Sequence, residues 1–178
     1  VYAYVRNNIE NAWMFGVQKG AVGAIVDRSG TAADQAQLMV ETLRAGGIDA
    51  AYLFGTITLT GEQFRAWSGL TKATAACRLL ASGGIAASIN GVVHGDCAYG
   101  WADVTSVTLA HVWVKATIGG ADYQFDPAYK PHDLKVGEAT LAAQVTAGGA
   151  LATASSTLQT GADLGASYAT SLNAAGLD

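Results

Sequence analysis

The chain is poor in charge. Only 13% of its 178 residues are Asp, Glu, Lys or Arg, against roughly a quarter in an ordinary globular protein. The acidic residues outnumber the basic ones, giving a net charge of −4, and no basic patch is visible, so a nucleic-acid partner has no electrostatic footing. Long apolar runs are also missing, and no stretch is long enough to span a bilayer as a helix. Cysteine is scarce, with only Cys77 and Cys97. They form no CxxC pair, and with three histidines they make no zinc pattern. No metal or cofactor is therefore expected. Two buried free thiols are the plainest reading of the pair. A disulfide is an alternative that suits an exported protein rich in Ser, Thr and Gly, and a reactive thiol is a third. The opening residues do not read as a signal peptide. The chain begins at Val1, within what reads as a helix, and is expected to be a fragment or processed product of something longer.

About half of the residues are apolar (51%) and 22 are glycine, enough for one domain with a sizeable core. The composition collapses to Ala, Gly, Thr, Ser and Leu after about residue 138. Residues 1–137 are read as the domain, and 138–178 as a peripheral or linker segment with at most weak helices. Internal repeats are absent.

The best-marked element runs from Ser29 to Gly47. Thr31 is placed to cap a helix, and Asp34 three residues on completes a capping box. Ala36, Met39, Val40 and Leu43 recur at helical spacing and form a buried face, and Gly46-Gly47 supply the stop. Arg44 reads as a solvated or C-terminal capping charge. Ala32 is the first residue inside the helix, over the positive end of its dipole, where an anion is stabilised and a cysteine would be a reactive thiolate.

Residues 2–14 read as a helix carrying Tyr4, Val5, Ile9 and Trp13, and residues 15–30, with four glycines, as an irregular loop. Residues 50–59 read as a strand. Short helices follow at 60–67 and 72–81, then one or two short strands in 85–93 and a loop over 94–103. Residues 104–118 are the clearest strand. Gly119-Gly120 signals a two-residue hairpin, and Ala121 to Asp126 return until Pro127 stops the ladder. A helix followed by antiparallel strands implies an α+β fold with the central helix packed on the sheet.

The hairpin brings two titratable residues together. With Ile118 opposite Ala121, Trp113 falls opposite Asp126, and His111 points to the same face as both. His111 and Asp126 are then diagonal neighbours about 7–8 Å apart at the backbone, close enough for a carboxylate to orient an imidazole. Taken singly, His111 reads as a structural histidine and Asp126 as the cap of the turn at Pro127. His94 and His132 read as surface residues, and Trp13, Trp67, Trp101 and Trp113 as packing residues.

These pieces resemble the transglutaminase-like superfamily of papain-type cysteine enzymes. The elements that carry the likeness are Gly30-Thr31-Ala32-Ala33-Asp34-Gln35-Ala36, Leu43-Arg44-Ala45-Gly46-Gly47-Ile48, His111-Val112-Trp113-Val114 and Phe125-Asp126-Pro127. Together they span roughly residues 2–132. Tyr4 to Ile9 and Gly30 to Ala36 look most like bacterial members found inside large exported proteins with RHS/YD-type repeats. By this resemblance His111 is the base and Asp126 its partner, and the nucleophile position falls on Ala32. Thr31 is used as a cap, Ser29 lies outside the helix, and Cys97 cannot be placed beside the imidazole. The resemblance thus implies a domain without its nucleophile, serving as a structural or interaction module of a larger exported or cell-surface protein. Its partner would be a protein or peptide, including the rest of its own polypeptide. The alternative is a cysteine acyl-transferase or peptidase inactivated by an engineered Cys-to-Ala change at position 32.

Overall fold

A computed structural model describes residues 1–132, 155–160 and 167–172. The chain divides into two compact units, Val1–His132 and Asp133–Asp178. The expected boundary at 137/138 lies outside the described residues. In the second unit, strands β7 (Ser155–Thr160) and β8 (Ser167–Leu172) pair antiparallel, so helices are not what these residues form.

The first unit is α+β, as expected. Helix α3 (Ala32–Ala45) has the predicted capping box: Asp34 N–H donates to Thr31 Oγ1 at 3.1 Å, and Asp34 Oδ2 accepts from Thr31 N–H at 3.0 Å. Gly46 stays right-handed, and Gly47 (φ 78°) makes the left-handed turn that ends the helix. Arg44 is more than a solvated charge, because its Nε–H donates to the Ala50 carbonyl at 2.8 Å.

Strands β3 (Asp49–Thr60) and β5 (Ser106–Ile118) form an antiparallel ladder along the full length of β3. The other edge of β5 is shared. Strand β4 (Ala87–Ile89) pairs with Val107–Leu109 and β6 (Ala121–Phe125) with Val114–Ile118. Among the described residues no strand therefore lies beside residues 110–113 of β5 on that edge, and His111 lies in this gap.

The two faces of the sheet carry separate cores. Val114 and Ala116 pack with Ala50 against α3 and against Val5 and Ile9. Val107 and Leu109, on the opposite face by the two-residue alternation of a strand, pack with Phe64, Ala76 and Leu80. The last three residues come from α4 (Gly61–Ser68) and α5 (Ala73–Ser82). Helix α4 has its own capping box, from Thr60 and Gln63, and closes on Gly69 in the left-handed conformation.

Four expectations need correction. The first helix, α1 (Tyr2–Asn8), ends early. The chain then enters a parallel ladder of β1 (Glu10–Asn11) with β2 (Ser29–Gly30), tied at its edges by Glu10 N–H to Arg28 O and Ala12 N–H to Gly30 O. Trp13 is consequently in a loop. Residues 15–30 are not wholly irregular, because Gly20–Asp27 form helix α2. Buried Ala21 and Ala24 belong to the α3 core, and this small-residue packing overrides the weak helix propensity of glycine. Finally, Cys77 and Cys97 are joined as a disulfide. Cys77 is on α5, and the loop after β4 folds back to bring Cys97 to a Cα separation of 5.5 Å, a spacing that a disulfide spans. Trp101, read as a packing residue, is 89% exposed.

Candidate active site

The hairpin register is the one expected, with Ile118 opposite Ala121 and the ladder reaching Val114–Phe125. Asp126 lies just past the end of β6. His111 Nε2 and Asp126 Oδ2 are 2.8 Å apart, with the imidazole side chain 3% exposed and the carboxylate 27%. A carboxylate can only accept, so Nε2 carries the proton and Nδ1 is the nitrogen left for other chemistry. The other carboxylate oxygen of Asp126 accepts from the N–H groups of Ala128 and Tyr129, both at 3.1 Å. Asp126 thus caps the turn after the strand and orients the histidine at once. The capping bonds and the histidine contact are made by the same carboxylate.

Aromatic rings fix the imidazole. The ring of Trp67 meets it edge-on at 5.6 Å and 90°, and that of Trp113 lies nearly parallel at 6.4 Å and 14°. Trp67 is itself held, with Nε1–H donating to Ala128 O at 2.9 Å and its ring packed on Trp13 at 4.6 Å. Trp113 Nε1–H donates to Gln124 Oε1 at 2.8 Å.

Ala32 and His111 line one cleft, with Trp13, Trp67 and Phe15 among the other walls. Ala32 is the first residue of α3. The opening N–H groups of a helix have no acceptor within it, and the positive end of the dipole is there. The cleft therefore sets His111 and a helix N-terminus around one space. Such an arrangement can move a proton and hold a developing oxyanion.

The neighbouring hydroxyls and thiols are committed elsewhere. Thr31 Oγ1 donates to Gly16 O at 2.6 Å while accepting from Asp34 N–H. Ser29 Oγ accepts from Lys19 Nζ at 2.9 Å. Cys97 is locked in the disulfide. His94 and His132 are exposed, as expected.

Three features of the site escape a sequence reading. Trp13 and Trp67 are cleft walls as well as packing residues. Asp34 does more than cap α3: its Oδ1 also accepts from the backbone N–H groups of Gln18, Lys19 and Gly20 at 2.9, 3.0 and 2.8 Å. Burial alone would push this carboxyl up, but the N–H groups of Thr31, Lys19, Gly20 and Gln18 outweigh it and hold it below the ordinary value. The loop that carries Phe15 and Gly16 into the cleft is tied by this means to the start of α3. The third feature is a buried contact between Gln35 and Lys130.

The helix N-terminus, the buried histidine and its carboxylate partner stand on one α+β scaffold. The chain belongs to the transglutaminase-like superfamily, whose sequence model matches residues 1–127. Comparisons with curated proteins and with solved structures give no match.

Proposed function

We propose that this domain retains the site of a transglutaminase-like enzyme without its nucleophile, and that it serves as a structural or interaction module of a larger exported bacterial protein of the RHS/YD-repeat kind. The observation that carries the reading is Ala32, the first residue of α3, lining the same cleft as His111. A methyl group there cannot attack a carbonyl. The Cys77–Cys97 disulfide supports an oxidising, extracellular or cell-surface setting. The partner in this reading is a protein or peptide segment, including one from the same polypeptide.

The test is turnover. The purified chain should neither hydrolyse nor transpose a glutamine-containing peptide, and His111→Ala should leave its association with the rest of the parent protein intact. Amide turnover that disappears in His111→Ala overturns the reading.

A second reading is an acyl-transfer enzyme or peptidase inactivated at position 32. It draws support from the His111–Asp126 pair, held at 2.8 Å with the imidazole buried, a geometry that a pure scaffold does not need. With cysteine at position 32, the thiolate would attack a side-chain or peptide amide carbonyl. The carbonyl oxygen would collect negative charge at the α3 N-terminus, and protonated Nδ1 of His111 would give its proton to the departing amine, leaving a thioester. Water or a second amine, deprotonated by the same nitrogen, would then release the acyl group. Recovery of amide turnover by Ala32→Cys favours this reading.

A further inference from the structure

We propose that Lys130 is a positioning residue for the His111–Asp126 pair, its ammonium group clamping the turn that carries Asp126 onto the helix that carries Ala32. The inference rests on the reading that His111 and Asp126 are the working pair of the site.

The clamp starts from Gln35, which is one turn along α3 from Ala32 and fully buried. Its Nε2 donates to Gly30 O at 2.9 Å, with longer approaches to Glu10 O (3.4 Å) and Asn11 Oδ1 (3.5 Å). The amide is therefore anchored to the β1–β2 ladder and cannot swing. Its Oε1 accepts from Lys130 Nζ at 2.5 Å, and the same ammonium donates to Pro127 O at 2.6 Å. Pro127 follows Asp126 directly. A short polar chain thus runs from α3 through Gln35, Lys130 and Pro127 to the carboxylate on His111.

A lysine in this place is costly to keep. Burial draws its pKa down to about 8; the Asp126 carboxylate opposes that and the Arg6 guanidinium adds to it. An aliphatic side chain would fill the space without the desolvation of an ammonium. The amine supplies something else: two directed donors that join elements 95 residues apart in sequence. Further bonds secure the same turn from other sides. Trp67 Nε1–H holds Ala128 O, and Arg6 holds Lys130 O at 3.0 Å. His111 sits on the continuous ladder of β5 with β3, so its backbone has no need of such help. Asp126 lies beyond the last β5–β6 pair. The part of the pair that needs positioning is the part that Lys130 holds.

The experiment reads the hydrogen bond itself. Proton–nitrogen NMR of the ring N–H groups in the unaltered chain should show a downfield, slowly exchanging His111 Nε2–H resonance that is absent in His111→Ala. In Lys130→Met this resonance should broaden away or move upfield, while the Trp113 Nε1–H signal, which reports the β5–β6 hairpin, stays native. Lys130→Cys should behave likewise. Both native cysteines are in the disulfide, so the new thiol can be aminoethylated selectively, which replaces the lysine ammonium, and the His111 resonance should return. An unchanged His111 resonance in Lys130→Met overturns the proposal. So does a resonance lost in Lys130→Cys and not restored by aminoethylation in a chain with a native Trp113 signal. If the resonance is already missing from the unaltered chain, the reading of the His111–Asp126 pair fails, and this inference falls with it.

Discussion

Replacing Asp34 should be among the most damaging single changes to the first unit, and most of the damage can be traced to bonds. The carboxylate is fully buried and accepts four backbone N–H groups, from Gln18, Lys19, Gly20 and Thr31. Hydrogen bonds to a charged acceptor contribute about 1.5–3 kcal/mol each, and a buried donor left without a partner costs about 1–3 kcal/mol. The terms do not add fully. Gln18 and Lys19 are exposed residues whose N–H groups can turn to water once the carboxylate is gone, whereas Thr31 is 1% exposed and its N–H has nowhere to turn. Asp34→Ala should therefore cost about 3–5 kcal/mol, cap included. Asp34→Asn keeps an acceptor for the loop but aims an NH2 group at Thr31 N–H, and should cost about 2 kcal/mol. For a unit of this size these figures correspond to a Tm lowered by roughly 10–20 °C and 5–10 °C. Urea unfolding followed by circular dichroism measures both. The pH dependence is a second arm. The folded Asp34 carboxyl lies below its ordinary value, so its contribution is present above the unfolded pKa of about 4 and is lost as pH falls through the folded value. The stability gap between the native chain and Asp34→Asn should accordingly narrow on acidification below about pH 4. A cost under about 0.5 kcal/mol at pH 7, or a gap that stays constant into acid, refutes the reasoning.

Other perturbations have equally definite outcomes. Removing both cysteines as Cys77→Ala/Cys97→Ala opens a loop with a sequence separation of 20 and should lower stability by about 3 kcal/mol on loop entropy, read from the urea midpoint; a loss below about 1 kcal/mol contradicts this. Gly83 passes so close to the Trp13 carbonyl that a Cβ would collide with it, and its own carbonyl accepts Phe15 N–H at 2.8 Å. Gly83→Ala should thus push back the cleft wall formed by Trp13 and Phe15, costing about 1–3 kcal/mol and shifting tryptophan emission; native emission and Tm speak against it. Phe64→Ala, at a fully buried position under Trp13, should cost about 3–5 kcal/mol in the same unfolding assay, and a loss below about 1.5 kcal/mol shows that the second core is not packed as described.

What a reader of the sequence can see is what local chemistry determines. Thr31 and Asp34 announce the start of α3 because a capping box is closed within four residues. The Gly119-Gly120 turn fixes the register of β5 against β6, and the two-residue alternation then carries His111 to the face of Asp126. Helix α2 is hidden because its glycines argue against a helix, and only the fit of Ala21 and Ala24 against α3 decides otherwise. The disulfide is hidden for a similar reason: nothing local to Cys77 or Cys97 says that the loop after β4 returns to α5. Lys130 and the second duty of Asp34 lie furthest from view, since each depends on a partner brought in from another element. Trp101 carries the opposite lesson, an aromatic residue that composition assigns to the core and the fold leaves in solvent.

The sharpest test is to restore a thiol at position 32. In Ala32→Cys the new cysteine is the only free thiol, because Cys77 and Cys97 are bonded to each other. Its rate of alkylation by iodoacetamide at pH 6, compared with that of a simple peptide thiol, reports thiolate formation. A rate at least about tenfold higher, which falls back to the peptide value in Ala32→Cys/His111→Ala, is the result expected if the helix N-terminus and the His111–Asp126 pair converge on this position. An ordinary rate that is indifferent to His111 contradicts it.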